Sequence, residues 1–205
     1  MVGPFCQTGR SLVNEVEAVR QVLLALNASG IPYALSGSLA SNFYAVARST
    51  KDADFIVETD AASLARLFDS LRDQFDTDRQ LSFEMVTHTT RYILDHRATA
   101  FKIELFLLSD DPFDRSRFAR RRLDEYEGVP VWVLSPEDVV VQKLRWLKLS
   151  RNPKHREDVR RVFAFSGDGL DMPYVSHWAD THGTRALLDE IRAEVERCRP
   201  PGDAG

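Results

Sequence analysis

The sequence predicts an α/β (α+β) fold: a mixed sheet flanked by helices, followed by a helical C-terminal region. Three observations predict it. Stretches with helical apolar spacing alternate with short β-rich runs up to residue 134; a strand, a glycine turn and a helix follow one another at 32–47; beyond Ser135 only helical periodicity remains. With 205 residues, 43% apolar and 28% charged, the chain can bury one substantial core and a small helical extension. The expected division is a sheet-bearing core at 1–134, a helical region at 135–198 and a disordered tail at 199–205, which has nothing to bury.

Ser11 to Leu26 places Leu12, Val16, Val19, Val22, Leu23 and Leu26 at three- and four-residue intervals, an amphipathic helix ended by Asn27-Ala-Ser-Gly30. Pro32 to Ser36 reads as a buried strand, Gly37-Ser38 as a tight turn, and Leu39 to Ala47 as a helix. Ala53 to Val57 is a second strand, and Asp60 caps a helix through Leu64, Leu67, Phe68 and Leu71. Residues 83–86, 91–95 and 101–108 are short β-rich runs separated by polar turns, read as a meander. Val129 to Leu134 is one more strand. Ser135-Pro136-Glu137-Asp138 then opens a helix, with the serine capping the third helical amide, proline at a position that needs no donor, and two acids at the positive end. Helices are expected at about 136–149, 155–165, 172–182 and 184–197.

The net charge of −4 excludes a generally cationic nucleic-acid binder and leaves room for a local basic patch. Two such stretches exist, Arg115 to Arg122 and Lys143 to Arg161, readable as RNA contacts or as solvated faces. Cys6 and Cys198 show no metal or disulfide spacing, and the five histidines, His88, His96, His155, His177 and His182, show no ligand spacing. Trp132, Trp146 and Trp178 fall at periodic apolar positions and read as core or interface. Met1 to Arg10 lacks a signal-peptide core, and no stretch approaches the roughly 20 apolar residues of a membrane span. A cytoplasmic protein with no membrane partner is the expectation.

Asp52 and Asp54 are two apart in a strand, so both carboxylates project from one face while Ala53, Phe55 and Val57 face the core. Two such carboxylates repel unless well solvated, partly protonated or bridged by a cation. Magnesium, or manganese, is the natural cation, because it takes hard oxygen ligands and completes its shell with water and phosphate. A solvent-facing edge strand is the alternative. Gly37-Ser38 lies where a strand meets a helix, a place where free amides bind phosphate and glycine allows close approach; a routine turn is its alternative. Glu104 projects from a strand whose Ile103, Leu105 and Leu107 are apolar, and reads either as a third acid of the site or as a diagonal partner of Lys102.

Leu35-Ser-Gly-Ser-Leu-Ala40, Arg48-Ser-Thr-Lys-Asp-Ala-Asp-Phe-Ile-Val57, Lys102-Ile-Glu-Leu-Phe106, Ser135-Pro-Glu-Asp-Val-Val-Val-Gln-Lys-Leu144 and Arg156-Glu-Asp-Val159 together carry a resemblance. Over about residues 12–196 the chain resembles the DNA polymerase β-type nucleotidyltransferase superfamily, especially the small bacterial proteins grouped with AbiEii-type toxins of type IV toxin–antitoxin systems. The resemblance implies that Gly37 and Ser38 hold a nucleoside triphosphate such as ATP and that Asp52 and Asp54 bind metal. Lys143 and Asp158 match the later Lys and Asp of the pattern, the lysine contacting phosphate. The third strand acid is usually Asp in this superfamily and here is Glu104, which would bind a second metal or accept a proton. Lys143 lies about two turns before the reversal at Asn152-Pro153 and Asp158 a little over one turn after it, so the two are expected to touch and to face the cleft of Asp52 and Asp54. The implied activity is metal-dependent transfer of a nucleoside monophosphate to an acceptor hydroxyl on RNA, a protein or a small molecule, the resemblance suggesting tRNA, with a cognate toxin or antitoxin as protein partner. A non-catalytic nucleotide-binding or antitoxin-type protein on the same fold is the rival reading.

Overall fold

The computed structural model describes residues 7–84 and 89–198; the expectations for residues 1–6 with Cys6, for 85–86, for His88 and for the tail at 199–205 lie outside them. The chain divides into two compact units, residues 1–39 with 49–133, and residues 40–48 with 134–205. Residues 40–48 group with the helical unit and not with the sheet-bearing one.

The first unit is built on a seven-stranded mixed sheet. Its strands are β1 (Tyr33–Ser36), β2 (Asp52–Val57), β3 (Phe75–Glu84), β4 (Thr89–His96), β5 (Lys102–Leu107), β6 (Arg122–Tyr126) and β7 (Val129–Val133), in the spatial order β3-β4-β5-β2-β1-β7-β6. β2 runs parallel to β5 and β1 parallel to β7, while β1–β2, β3–β4, β4–β5 and β6–β7 are antiparallel. Strand alternation sends Tyr33, Leu35, Phe55, Val57, Ile103, Leu105, Val131 and Val133 to one face, and all eight are buried, while Leu107 at the end of β5 on the same face is half-buried. α1 (Gln7–Ser29) packs on β7 and on α3 (Ala61–Leu71), with Ala18, Val19, Val22, Leu23 and Leu26 as its buried stripe. Asp60 caps α3 as expected, accepting from the Ser63 amide at 2.7 Å.

Two elements of this unit have no counterpart in the sequence reading. α4 (Pro112–Ala119) is capped by Asp111, which accepts from the amides of Phe113 and Asp114, and is anchored by buried Phe113 and Phe118. β6 follows it and joins β7 through Glu127 and Gly128, whose φ values of 49° and 78° are the left-handed pair that a two-residue hairpin turn requires. Three arginines of the basic run at 115–122 are held by contacts within this unit. Arg117 is buried against Asp114 at 2.8 Å, Arg115 binds Glu58 and Asp110, and the Arg121 guanidinium lies over the Phe118 and Trp132 rings.

The second unit contains α5 (Pro136–Ser150), α6 (Pro153–Ser166), a 3-10 turn at Gly167–Gly169, α7 (Met172–Thr181) and α8 (Arg185–Cys198). Ser135 caps α5 as predicted, accepting from the Asp138 amide, and Asn152 caps α6, accepting from the Lys154 amide at 3.0 Å. The helix expected at 39–47 is only α2 (Gly37–Ser41). It stops because the Asn42 side chain donates to the Arg48 carbonyl at 2.9 Å and accepts from the Arg48 amide at 3.2 Å, closing a loop instead of continuing a helix. None of the three tryptophans is fully buried: Trp132 is exposed, and Trp146 and Trp178 stack on His155 and His182. No helix among the described residues is long and apolar enough to cross a membrane.

Candidate active site

The acids sit where the sheet register puts them. In β2, Asp52 and Asp54 are partly exposed while Ala53 and Phe55 are fully buried, so the two carboxylates share the face opposite the apolar one. Asp54 stands level with Glu104 on parallel β5 and with Ser36 on antiparallel β1. Adjacent strands in register place side chains of the same row side by side. Asp52, Asp54 and Glu104 therefore share one sheet face, with the end of β1 beside them.

Gly37 follows Ser36 and turns the chain with φ +63°, a conformation that glycine adopts without strain. A Cβ added there would lie 1.7 Å from Asp54 Oδ2 and 2.6 Å from Asp54 Cγ. The glycine is thus required by the packing of backbone against the Asp54 carboxylate. Thr50 fixes the neighbouring acid, donating its hydroxyl to Asp52 Oδ1 at 2.8 Å.

Glu104 pairs with Arg91 at 3.1 Å and not with Lys102, whose ammonium lies 2.8 Å from Asp95. Register explains the exchange: Asp95 is directly opposite Lys102, and Ile93 is opposite Glu104, so Arg91 reaches Glu104 diagonally from the same face. Burial pushes the Glu104 carboxyl above its ordinary range; Arg91 opposes this and the charge of Asp52 adds to it.

The second unit holds the remaining predicted residues. Lys143 Nζ lies 3.0 Å from Asp158 Oδ2, as the helical hairpin implied. Both are buried, at 5% and 2% exposure, so this is no surface pair. Arg48 completes it, with Nε 2.9 Å from Oδ1 and Nη2 2.9 Å from Oδ2 of Asp158. Burial alone would raise the Asp158 carboxyl, but the Arg48 hydrogen bonds and the Lys143 charge outweigh it and hold the group below its usual range. His155, stacked on Trp146, is pushed down to about 4 by burial and by the charge of Lys143, and is neutral at pH 7. Arg48, which holds Asp158, Thr50, which holds Asp52, and Arg91, which holds Glu104, were not singled out in the sequence. The first two lie inside the quoted 48–57 motif, where a threonine two residues before the first Asp was a readable signal; Arg91 carried none.

Among the described residues no three His, Cys, Asp or Glu side chains are gathered into a set able to hold a metal ion. Asp52 and Asp54 suit the one or two carboxylates that magnesium takes beside water and phosphate. Glu104 is engaged by Arg91 and would have to be released to join them.

No family model and no curated protein matches the chain. Solved structures do. The antibiotic-resistance factor ANT(2'')-Ia, in its solution structure, superposes with a TM-score of 0.56 at 16% identity over 90% of this chain and 96% of its own. The crystal structure of ANT(2'')-Ia in complex with adenylyl-2''-tobramycin gives 0.56 at 15% identity over 84% and 99%. An antigenic nucleotidyltransferase-like protein from Paracoccidioides brasiliensis gives 0.54 at 19% identity over 87% and 92%. At such identities the likeness concerns the fold alone: the mixed sheet with its flanking helices is similar to the folds of ANT(2'')-Ia and of the nucleotidyltransferase-like protein.

Proposed function

We propose that the protein is a metal-dependent nucleotidyltransferase, which moves a nucleoside monophosphate from a nucleoside triphosphate to an acceptor hydroxyl. The observation that carries this reading is the sheet face where Asp52 and Asp54 lie beside the Gly37 turn, with Glu104 level with Asp54. Asp52 and Asp54 would hold magnesium or manganese, which when bound neutralises phosphate charge and favours in-line displacement. The backbone at Gly37 and Ser38 binds the triphosphate. The acceptor oxygen forms a bond to the α-phosphorus as the bond to pyrophosphate breaks. Glu104, made more basic by burial, accepts the hydroxyl proton. Lys143 is assigned to phosphate and Asp158 to orienting its ammonium, with Arg48 holding Asp158 in turn.

The resemblance to AbiEii-like proteins supports ATP or another nucleoside triphosphate as donor, tRNA as acceptor, a cytoplasmic site of action and a cognate toxin or antitoxin partner. The fold neighbour bound to adenylyl-2''-tobramycin makes a polyhydroxylated small molecule the second acceptor class to try. The test is incubation of the purified chain with each α-labelled triphosphate, magnesium or manganese, and either total tRNA or an aminoglycoside panel. Label should enter one acceptor class and vanish in Asp52→Asn and Asp54→Asn proteins that remain folded. Calorimetric triphosphate binding without transfer to any acceptor would instead establish the non-catalytic nucleotide-binding reading.

A further inference from the structure

Among the described residues β6 ends the strand order of the sheet, and its residues Arg122 to Glu125 are exposed. The direction of its backbone follows from its partner strand. Glu125 stands opposite Pro130, which has no N–H, and the Pro130 carbonyl accepts from Asn27 Nδ2 at 2.9 Å and from the Tyr33 hydroxyl at 3.3 Å. Glu125 is therefore a non-hydrogen-bonded position towards β7, and its N–H and C=O point to the open edge, as do those of Leu123. Consistent with this, the Glu125 amide is covered by Asp124 Oδ1 at 2.7 Å, a local bond that an outward amide makes when no strand lies beside it. Along the same edge Leu123 lies directly opposite Trp132, and the two side chains are 60% and 38% exposed. An apolar cross-strand pair beside an open edge is a feature that monomeric sheets generally avoid.

We propose that β6 pairs antiparallel with β6 of a second copy of this chain, in the register whose two-fold axis passes through Leu123. This does not rest on the catalytic reading. A two-fold axis normal to the sheet keeps every side chain on its own face, so it must pass through a residue and not between two. Centring on Arg122, Asp124 or Glu125 sets like charges face to face at the axis, and centring on Tyr126 sets Glu125 against Glu127; like charges directly opposite are destabilising. Centring on Leu123 is different. Leucine meets leucine, Arg122 meets Asp124 of the partner subunit, and Arg121 meets Glu125 of the partner subunit, each charge pair repeated by symmetry. Both Leu123–Trp132 pairs then share one face. Asp124 leaves the Glu125 amide, which donates instead to the carbonyl of the partner's Arg121.

Sedimentation of the wild-type chain over a concentration series should show a reversible dimer. Arg122→Asp and Asp124→Arg alone each create like-charge oppositions and should weaken it by about tenfold or more, while the double swap R122D/D124R should restore it. Leu123→Cys should form an intermolecular disulfide under mild oxidation, because a hydrogen-bonded antiparallel pair puts its Cα atoms about 5.5 Å apart, within disulfide range. Wild-type protein that stays monomeric throughout the series overturns the proposal. So does a dimer indifferent to both single changes, or a folded double variant that does not reassociate.

Discussion

Replacing Gly37 by alanine tests how the strand–turn geometry and the Asp54 carboxylate depend on one another. The substitution has two costs. At φ +63° an L-residue is strained by about 1–2 kcal/mol. The new Cβ also falls 1.7 Å from Asp54 Oδ2 and 3.0 Å from Asp54 Cβ, so the carboxylate must leave its place or the backbone must shift. Overpacking of this kind costs about 1–3 kcal/mol, for a total of about 2–5 kcal/mol. Asp54→Ala removes the two closest atoms and leaves only Cβ, so in that background Gly37→Ala should cost little beyond the strain. Urea unfolding of the wild type, both single variants and the double variant isolates the difference, expected as a coupling of about 1–3 kcal/mol at unchanged m-value. An equal loss in both backgrounds would show that Gly37 is needed for its dihedral alone.

Asp158→Asn should destabilise the helical unit by about 3–5 kcal/mol, since it leaves the buried Lys143 and the half-buried Arg48 without their shared carboxylate; urea unfolding reads it. The Asp158 carboxyl is depressed in the fold, so its stabilisation is present above the unfolded value of about 3.9 and is lost as pH falls through the lower folded value. The acid limb of the stability profile should accordingly be flatter in Asp158→Asn. His155 should titrate near pH 4 by NMR; because the unfolded chain takes up this proton nearer 6.5, stability should fall between about pH 6.5 and 4, and His155→Phe should remove that slope. Arg91→Gln removes the lowering influence on Glu104 and should raise its carboxyl further, whereas Asp52→Asn should lower it; carboxyl-resolved NMR titration of Glu104 distinguishes the two directions.

Where local chemistry decides, the sequence was sufficient. Ser135-Pro136 and Asp60 cap helices because hydroxyl or carboxylate oxygens stand before orphan amides, and that pattern is contiguous in the chain. The common face of Asp52 and Asp54 follows from strand periodicity alone. The Lys143–Asp158 contact followed from two helices reversed at Pro153, again a local feature. Arg48 did not, because its partner Asp158 is remote in the chain and only the loop closed by Asn42 brings them together. α4 stayed hidden in an arginine-rich stretch with just two buried phenylalanines, and Arg117 read as a surface cation because nothing local shows that Asp114 goes into the interior with it. The partners of Lys102 and Glu104 depended on the register between β4 and β5, which a single strand cannot specify.

The register between β2 and β5 bears on why residue 104 is a glutamate. Asp54 and Glu104 stand level on neighbouring parallel strands, about 4.8 Å apart at the backbone. Two like charges about 5 Å apart repel by roughly 3 kcal/mol at an effective dielectric near 20, so a short acid directly beside Asp54 would carry most of that repulsion. One more methylene lets the Glu104 carboxylate turn towards the next strand, where Arg91 meets it at 3.1 Å. The charge is offset there, while partial burial and the field of Asp52 keep the carboxyl raised. Burial is what chiefly raises the carboxyl, with Asp52 of β2 adding to it, while β4 supplies the guanidinium that opposes the rise, and the length of glutamate allows it to reach that partner.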